Sequence, residues 1–288
     1  MSAAAVNAPP RELLARGRTL QLGGRPWLMG IVNASPDSFS GDGDDPAGAD
    51  VVDVGGESAR TDRPAVDASE EIERVVPAVE TWASRGIAVS IDTYKPAVAE
   101  AAIAAGAAIV NDTSGLRDPE LADVCARTGA ALVLMHTVGA PKQKVLDHPY
   151  EDVAREVRAF LAGRIELAVS RGVPFESLLL DPGPDFGKSP AQTVAALRGL
   201  DALHALERPV LAAISRKDFV GALTGRAPRA RGAGTLAAAG FAADAGAHVL
   251  RVHDVAATRD FLAVRGALRG DANVDDGLRL DEHLRREE

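Results

Sequence analysis

Eight apolar runs in this 288-residue chain each stop at a polar residue equipped for chemistry. Leu28 to Val32 runs into Asn33, and Val51 to Val54 into Gly55-Gly56-Glu57-Ser58-Ala59-Arg60. Val89-Ser90-Ile91 stops at Asp92, Ile109-Val110 at Asn111-Asp112, Ala131 to Met135 at His136, and Leu178 to Leu180 at Asp181. Val210 to Ile214 stops at Ser215-Arg216-Lys217, and Val249-Leu250 at Arg251-Val252-His253-Asp254. Carboxylates accept hydrogen bonds, an amide both donates and accepts, and a guanidinium grips an oxyanion through two parallel donors. Arg251 and His253 alternate around an apolar valine, so on a strand both side chains point to one side. Taken singly, an Asp after a strand is as often the N-cap of the next helix. Three of them beside Asn111 and Lys217 favour one shared site.

The elements that must position these residues are strands alternating with Ala-rich helices, the pattern of a (β/α)8 TIM barrel, whose catalytic groups sit at the C-terminal strand ends. A composition of 46% apolar and 4% aromatic residues suits a barrel interior filled by Ala, Val, Leu and Ile. We read residues 1–18 as a flexible lead, 19–270 as the barrel and 271–288 as a polar tail. Gly23-Gly24 reads as a hairpin turn ahead of the first barrel strand. Ser69 reads as a helix cap with Glu70 and Glu71 in the acidic first turn, and Tyr150 to Arg171 as a helix burying Val153, Val157, Phe160, Leu161, Ile165 and Val169.

A formal charge of −9 argues against nucleic acid or an anionic membrane as partner, so an anionic ligand must meet a local Arg/Lys cluster. The single cysteine, Cys125, excludes an internal disulfide framework and reads as a buried core thiol. No apolar run approaches the roughly 20 residues of a membrane span, and residues 1–10 lack a secretory core. These features predict a cytoplasmic enzyme. One unit breaks the rhythm. Ala34 to Asp50 is rich in Pro, Gly and Asp, so the first crossover helix is expected to be missing or truncated.

Met29-Gly30-Ile31-Val32-Asn33-Ala34-Ser35-Pro36-Asp37-Ser38-Phe39-Ser40 and Asp53 to Arg60 resemble the first two signatures of the dihydropteroate synthase family. Ser90 to Thr93, Val110 to Asp112, Asp181-Pro182-Gly183, Phe186-Gly187-Lys188, Ser215 to Lys217 and Arg251 to Asp254 follow that family in order and spacing, from about Leu20 to Leu268. The resemblance implies condensation of a dihydropterin diphosphate with p-aminobenzoate, releasing diphosphate in folate biosynthesis. It implies that Asp92, Asn111, Asp181 and Lys217 read the pterin edge while Phe186 and Met135 line its pocket. It further implies that Arg60, Ser215, Arg251 and His253 hold diphosphate and p-aminobenzoate, that Asn33 binds a Mg2+ cofactor, and that Asp37 lies near the metal or the developing cation. Lys217, Arg251, His253 and Asp37 are thus the expected catalytic set, and a homodimer the expected assembly. For His136, a histidine bonded to a loop stands beside a catalytic one.

The chain also departs from the pattern. Ala59 stands where the family has threonine, Thr61 where a proline follows arginine, Pro184-Asp185 where an apolar residue and glycine follow Gly183, and Ala213 where a glycine is usual. Asp185 reads as a carboxylate that repels an anionic substrate, and Ala213 as a methyl that crowds the ring. Two alternatives share the barrel: a noncatalytic or differently specific pterin-binding paralogue, and a pterin-dependent methyltransferase domain.

Overall fold

The structure is a computed structural model that describes residues 11–34, 46–58, 61–145 and 148–285. Its first strand falls inside the stretch expected to be a flexible lead. β1 (Glu12–Ala15) and β2 (Arg18–Gln21) pair antiparallel. The hairpin turn is Arg16-Gly17, at φ 50 and 72, rather than Gly23-Gly24. Two consecutive left-handed residues match the twist of the flanking strands, which a Gly-Gly count alone does not reveal. Leu13, Ala15 and Leu22 insert into the barrel bottom. Arg208 locks the hairpin there, donating to Glu12 O at 3.0 Å and Glu176 O at 3.1 Å.

The eight apolar runs form the barrel staves: β3 (Trp27–Asn33), β4 (Val51–Gly55), β5 (Ala88–Asp92), β6 (Ile109–Asp112), β7 (Ala131–Met135), β8 (Leu178–Asp181), β9 (Leu211–Ala212) and β10 (Val249–Val252). All neighbours are parallel, in the order β8-β7-β6-β5-β4-β3-β10-β9, and a single bridge between Leu180 and Val210 brings the two ends together. Outside lie α1 (Ala68–Ser84), α2 (Pro96–Ala105), α3 (Glu120–Thr128), α4 (Val153–Ser170), α5 (Pro190–Arg198), α6 (Asp218–Thr224), α7 (Gly232–Asp244) and α8 (Val255–Arg269).

Alternate strand residues divide the core in two. Leu28, Val52, Val54, Ile91, Val110, Leu132, Leu180 and Leu250 face outward onto the helices. Met29, Val51, Ile109, Val133, Leu179, Leu211 and Val249 face inward and pack on the hairpin plug. Each such side chain taken from water contributes about 1.5–3 kcal/mol. Above this apolar layer Asp53, Asp92, Asn111, Asp181 and Arg251 face inward beside apolar Ile31 and Met135, which is where the site begins.

Most of the first crossover, where the composition predicts a missing or truncated helix, lies outside the described residues, and residues 46–50 hold no helix. The strands still pair in register, Met29 with Val51 and Ile31 with Asp53. Pro46 and Ala49 pack where a helix would, against Gly30; a Cβ there would meet Pro46 at 2.9 Å, Val255 at 3.0 Å and Ala49 at 3.1 Å. Asp50 anchors the re-entry by accepting from Leu28 N at 2.8 Å and pairing with Arg25.

Two helix details correct the sequence reading. α1 starts after Asp67, not Ser69, and of the two first-turn glutamates Glu71 is buried against Lys95. Val169 on α4 is exposed, because the helix turns only one narrow face to the barrel. Residues 271–285 are exposed throughout.

Candidate active site

Strand register alone assembles the floor. Asp53, Asp92, Asn111 and Asp181 stand at inward positions at or near the C-terminal ends of β4, β5, β6 and β8, with Asp92 opposite Asn111 and Met135 opposite Asp181. Arg251 on β10 reaches across them, its Nε donating to Asp53 Oδ2 and its terminal nitrogen to Asp92 Oδ2, both at 2.6 Å. Asn111 Nδ2 donates to the same Asp53 oxygen at 3.0 Å. One carboxylate oxygen therefore fixes both Arg251 and the amide orientation of Asn111, leaving the Asn111 oxygen as an acceptor for a ligand. Asp53, fully buried, is the central residue that the sequence reading missed. Its signal was a charged residue inside an apolar run, two positions before the strand end.

Electrostatics follow from this crowding. Burial pushes the Asp92 carboxyl up to about 7, with Arg251 pulling it back down and Asp53 and Glu71 pushing it further up. Asp181 is likewise raised by burial, against the hydrogen bond from Gly183 N. Arg251 stays firmly charged: the two aspartates outweigh its desolvation. Asp53 Oδ1 and Ser90 Oγ are buried without a hydrogen-bond partner among the described residues, so this floor has acceptor capacity to spare.

Lys217 is the N-cap residue of α6, with its Nζ 4.6 Å from the centre of the Phe186 ring. It makes no hydrogen bond among the described residues, and burial lowers its pKa against the pull of Asp185 and Asp181. An ammonium on a π-face with its donors uncommitted is ready for a polar ligand edge. Ser215 and His253 form a second group, with Nδ1 of His253 2.9 Å from Ser215 Oγ, which also accepts from His253 N at 3.2 Å. The sequence reading grouped Arg251 with this pair. The structure also ties Arg251 to the carboxylate floor, where Asp53 and Asp92 hold its guanidinium. Asn33 ends β3, exposed. Asp37, Ala59 and Arg60 lie outside the described residues.

The loop after β8 folds tightly because Gly183 has φ 63 and a Cβ there would sit 2.0 Å from His136 O. Buried Lys188 donates to Gly183 O at 2.9 Å and Phe186 O at 3.2 Å, and lies 2.8 Å from His136 Nδ1. Burial lowers Lys188 to about 7 and His136 to about 3, the latter also repelled by the Lys188 charge. His136 is thus a loop-bonding histidine, the plainer of the two readings. Asp185 does not project as a free anion either; both its oxygens accept hydrogen bonds, from Thr193 Oγ1 and Asp218 N. Ala213 packs in the apolar layer beneath the floor.

Glu57 fastens the loop after β4. It accepts from Lys95 Nζ at 2.7 Å, Tyr94 Oη at 3.0 Å and Val66 N at 2.8 Å, and pairs with Lys142 at 3.2 Å. Burial pushes its pKa up, but the Lys95 hydrogen bond and charge and the Val66 N–H carry it below the usual range.

Residues 46–253 match the family described as pterin binding enzyme. The dihydropteroate synthase of Escherichia coli (strain K12) is 38% identical over 268 residues, 88% of this chain and 95% of that protein. A solved structure of Xanthomonas albilineans dihydropteroate synthase with 4-aminobenzoic acid aligns at TM-score 0.82 and 44% identity, covering 90% of this chain and 98% of the other. The same enzyme in complex with 7,8-dihydropteroate aligns at TM-score 0.79 and 43% identity over 90% and 98% of the two chains. Fold, strand-end chemistry and relatives agree: the chain belongs to the dihydropteroate synthase family of pterin-binding enzymes.

Proposed function

We infer that this protein is a dihydropteroate synthase, a transferase that joins 6-hydroxymethyl-7,8-dihydropterin diphosphate to p-aminobenzoate in folate biosynthesis. The observation that carries the reading is the floor of buried Asp53, Asn111 and Asp181 and part-buried Asp92 facing an ammonium, Lys217, that has no hydrogen-bond partner among the described residues. A pterin edge carries amino and ring N–H donors for Asp92 and Asp181, a donor for the Asn111 oxygen, and ring acceptors for Lys217. Phe186 and Met135 flank the ring. Relatives with bound 4-aminobenzoic acid and 7,8-dihydropteroate support this substrate pair.

The chemistry is a dissociative displacement. The diphosphate oxygen leaves with the C–O electron pair, and the electron-rich pterin stabilises the cationic methylene. The arylamine lone pair then forms the C–N bond, and its proton passes to diphosphate or water. Ser215, His253 and the remaining nitrogen of Arg251 meet the departing charge; the roles that the resemblance implies for Arg60 and Asp37 fall on residues outside those described. Among the described residues no three His, Cys, Asp or Glu side chains gather to hold a metal. A Mg2+ that keeps most of its waters and takes diphosphate oxygens needs little more than one protein oxygen, and exposed Asn33 fits that demand. Bound there, the ion would neutralise leaving-group charge.

No described helix is long and apolar enough to cross a membrane, in keeping with a cytoplasmic role. Exposed Phe241 on α7 with Val264 and Leu268 on α8 offer an apolar face for a homodimer. The test is to supply the dihydropterin diphosphate, Mg2+ and p-aminobenzoate and measure diphosphate release. Release with dihydropteroate formed supports the synthase; pterin binding without release overturns it in favour of a divergent paralogue.

A further inference from the structure

Asp185 carries a β-carbon at φ 67, a backbone region that favours glycine, so something in its surroundings must hold it there. What holds it is visible. Its N–H donates to Thr193 Oγ1 at 3.0 Å, and that hydroxyl donates back to Asp185 Oδ1 at 3.0 Å. Thr193 is buried on α5. The other oxygen, Oδ2, accepts from Asp218 N at 2.5 Å. Asp218 opens α6, whose N-cap residue Lys217 supplies no side-chain cap of its own. The first N–H groups of a helix need such an acceptor and favour negative charge. A carboxylate from the loop after β8 therefore caps α6 and staples it to α5. Two adjacent residues hold two adjacent residues: Asp185 takes the Asp218 backbone, and Phe186 takes the Lys217 ammonium on its ring.

We propose that Asp185 is a positioning residue that fixes Lys217 over the pterin floor and so sets affinity for the pterin substrate. The proposal rests on the pterin-site reading above. It also explains how a carboxylate fits beside an anionic substrate: the charge is spent on α6 and on Lys217. Against the burial that lowers the Lys217 pKa, Asp185 pulls it back up, as do Asp181 and Asp92.

Calorimetric titration with 6-hydroxymethyl-7,8-dihydropterin diphosphate, without p-aminobenzoate, tests this on the full chain. Asp185→Gly relieves the left-handed backbone and is expected to fold. It should weaken pterin binding about tenfold, the loss of one charge-assisted hydrogen bond. Asp185→Asn keeps an acceptor for Asp218 N and should restore most of the affinity. In a Lys217→Met background, Asp185→Gly should change binding by less than about twofold, because the two residues act through one contact. Equal weakening in both backgrounds, or unchanged binding in Asp185→Gly, overturns the positioning role alone. A wild-type chain that takes up no pterin overturns the site reading and this proposal together.

Discussion

The site is built in two ways, and they differ in what holds each residue. The floor rides on strands: Asp53, Asp92, Asn111, Asp181 and Arg251 stand where parallel register puts them, and one oxygen of Asp53 ties three strands together. The rim rides on loops: Lys217, Phe186 and Glu57 stand where side chains from other loops hold them, through Asp185, Lys188, Lys95 and Lys142. A floor built by register fails all at once when its shared atom is lost. A rim built by separate bridges loses one contact at a time.

The largest effect is expected at Asp53. Asp53→Ala leaves the Arg251 Nε and the Asn111 Nδ2 without their acceptor, while Arg251 keeps only Asp92 as its carboxylate partner. Breaking such a pair costs about 3–5 kcal/mol, which should appear as a lower denaturation midpoint together with lost pterin binding. Asp53→Asn keeps an acceptor and should recover part of both. A stable Asp53→Ala chain with wild-type pterin affinity would break the idea that one atom organises the floor.

Lys188 offers the contrasting case on the rim. Lys188→Met removes the donor shared by Gly183 O, Phe186 O and His136 Nδ1, at a cost of about 1–3 kcal/mol. The strand floor should survive, so pterin binding should weaken while the cooperative unfolding transition remains. The lysine also leaves a pH signature. Because its folded pKa is lowered to about 7, the unfolded chain binds more protons from there up to the ordinary lysine value. Stability should therefore rise with pH across that window in the wild type, and Lys188→Met should remove that share of the slope. Urea titrations at pH 7 and 9 measure it.

The same division explains what was legible in the chain. Strand ends are announced by where an apolar run stops, so Asp92, Asn111, Asp181 and Arg251 could be placed in the site from sequence. Asp53 could not, since it lies within its run and its partner Arg251 is 198 residues away. The Pro, Gly and Asp content of the first crossover was plain in the chain, but not the packing of Pro46 and Ala49 on Gly30. Asp185 misled in the opposite direction. Local sequence shows a charge next to the ring, whereas its two acceptors are committed to residues on α5 and α6 brought near only by the fold. Bridges between loops leave no periodicity to read.

The smallest effect separates floor from rim by proton count alone. In the proposed function Asp92 meets the pterin edge as a carboxylate, and in the ligand-free protein burial holds its pKa at about 7. Pterin affinity should then be level above neutrality and fall about tenfold by one pH unit below it. The stability slope has the opposite sign. Between the ordinary aspartate value and about 7 the folded chain keeps a proton that the unfolded chain has released, so ligand-free stability declines as pH rises through that window. Asp92→Asn should flatten both curves in these ranges. His253 is bonded to Ser215 and not to the floor, so pH dependence arising outside the floor should persist in Asp92→Asn. Calorimetry from pH 6 to 8 on the two proteins distinguishes them. If the pH dependence of pterin affinity is the same with and without the Asp92 carboxylate, the floor is not what reads the ring.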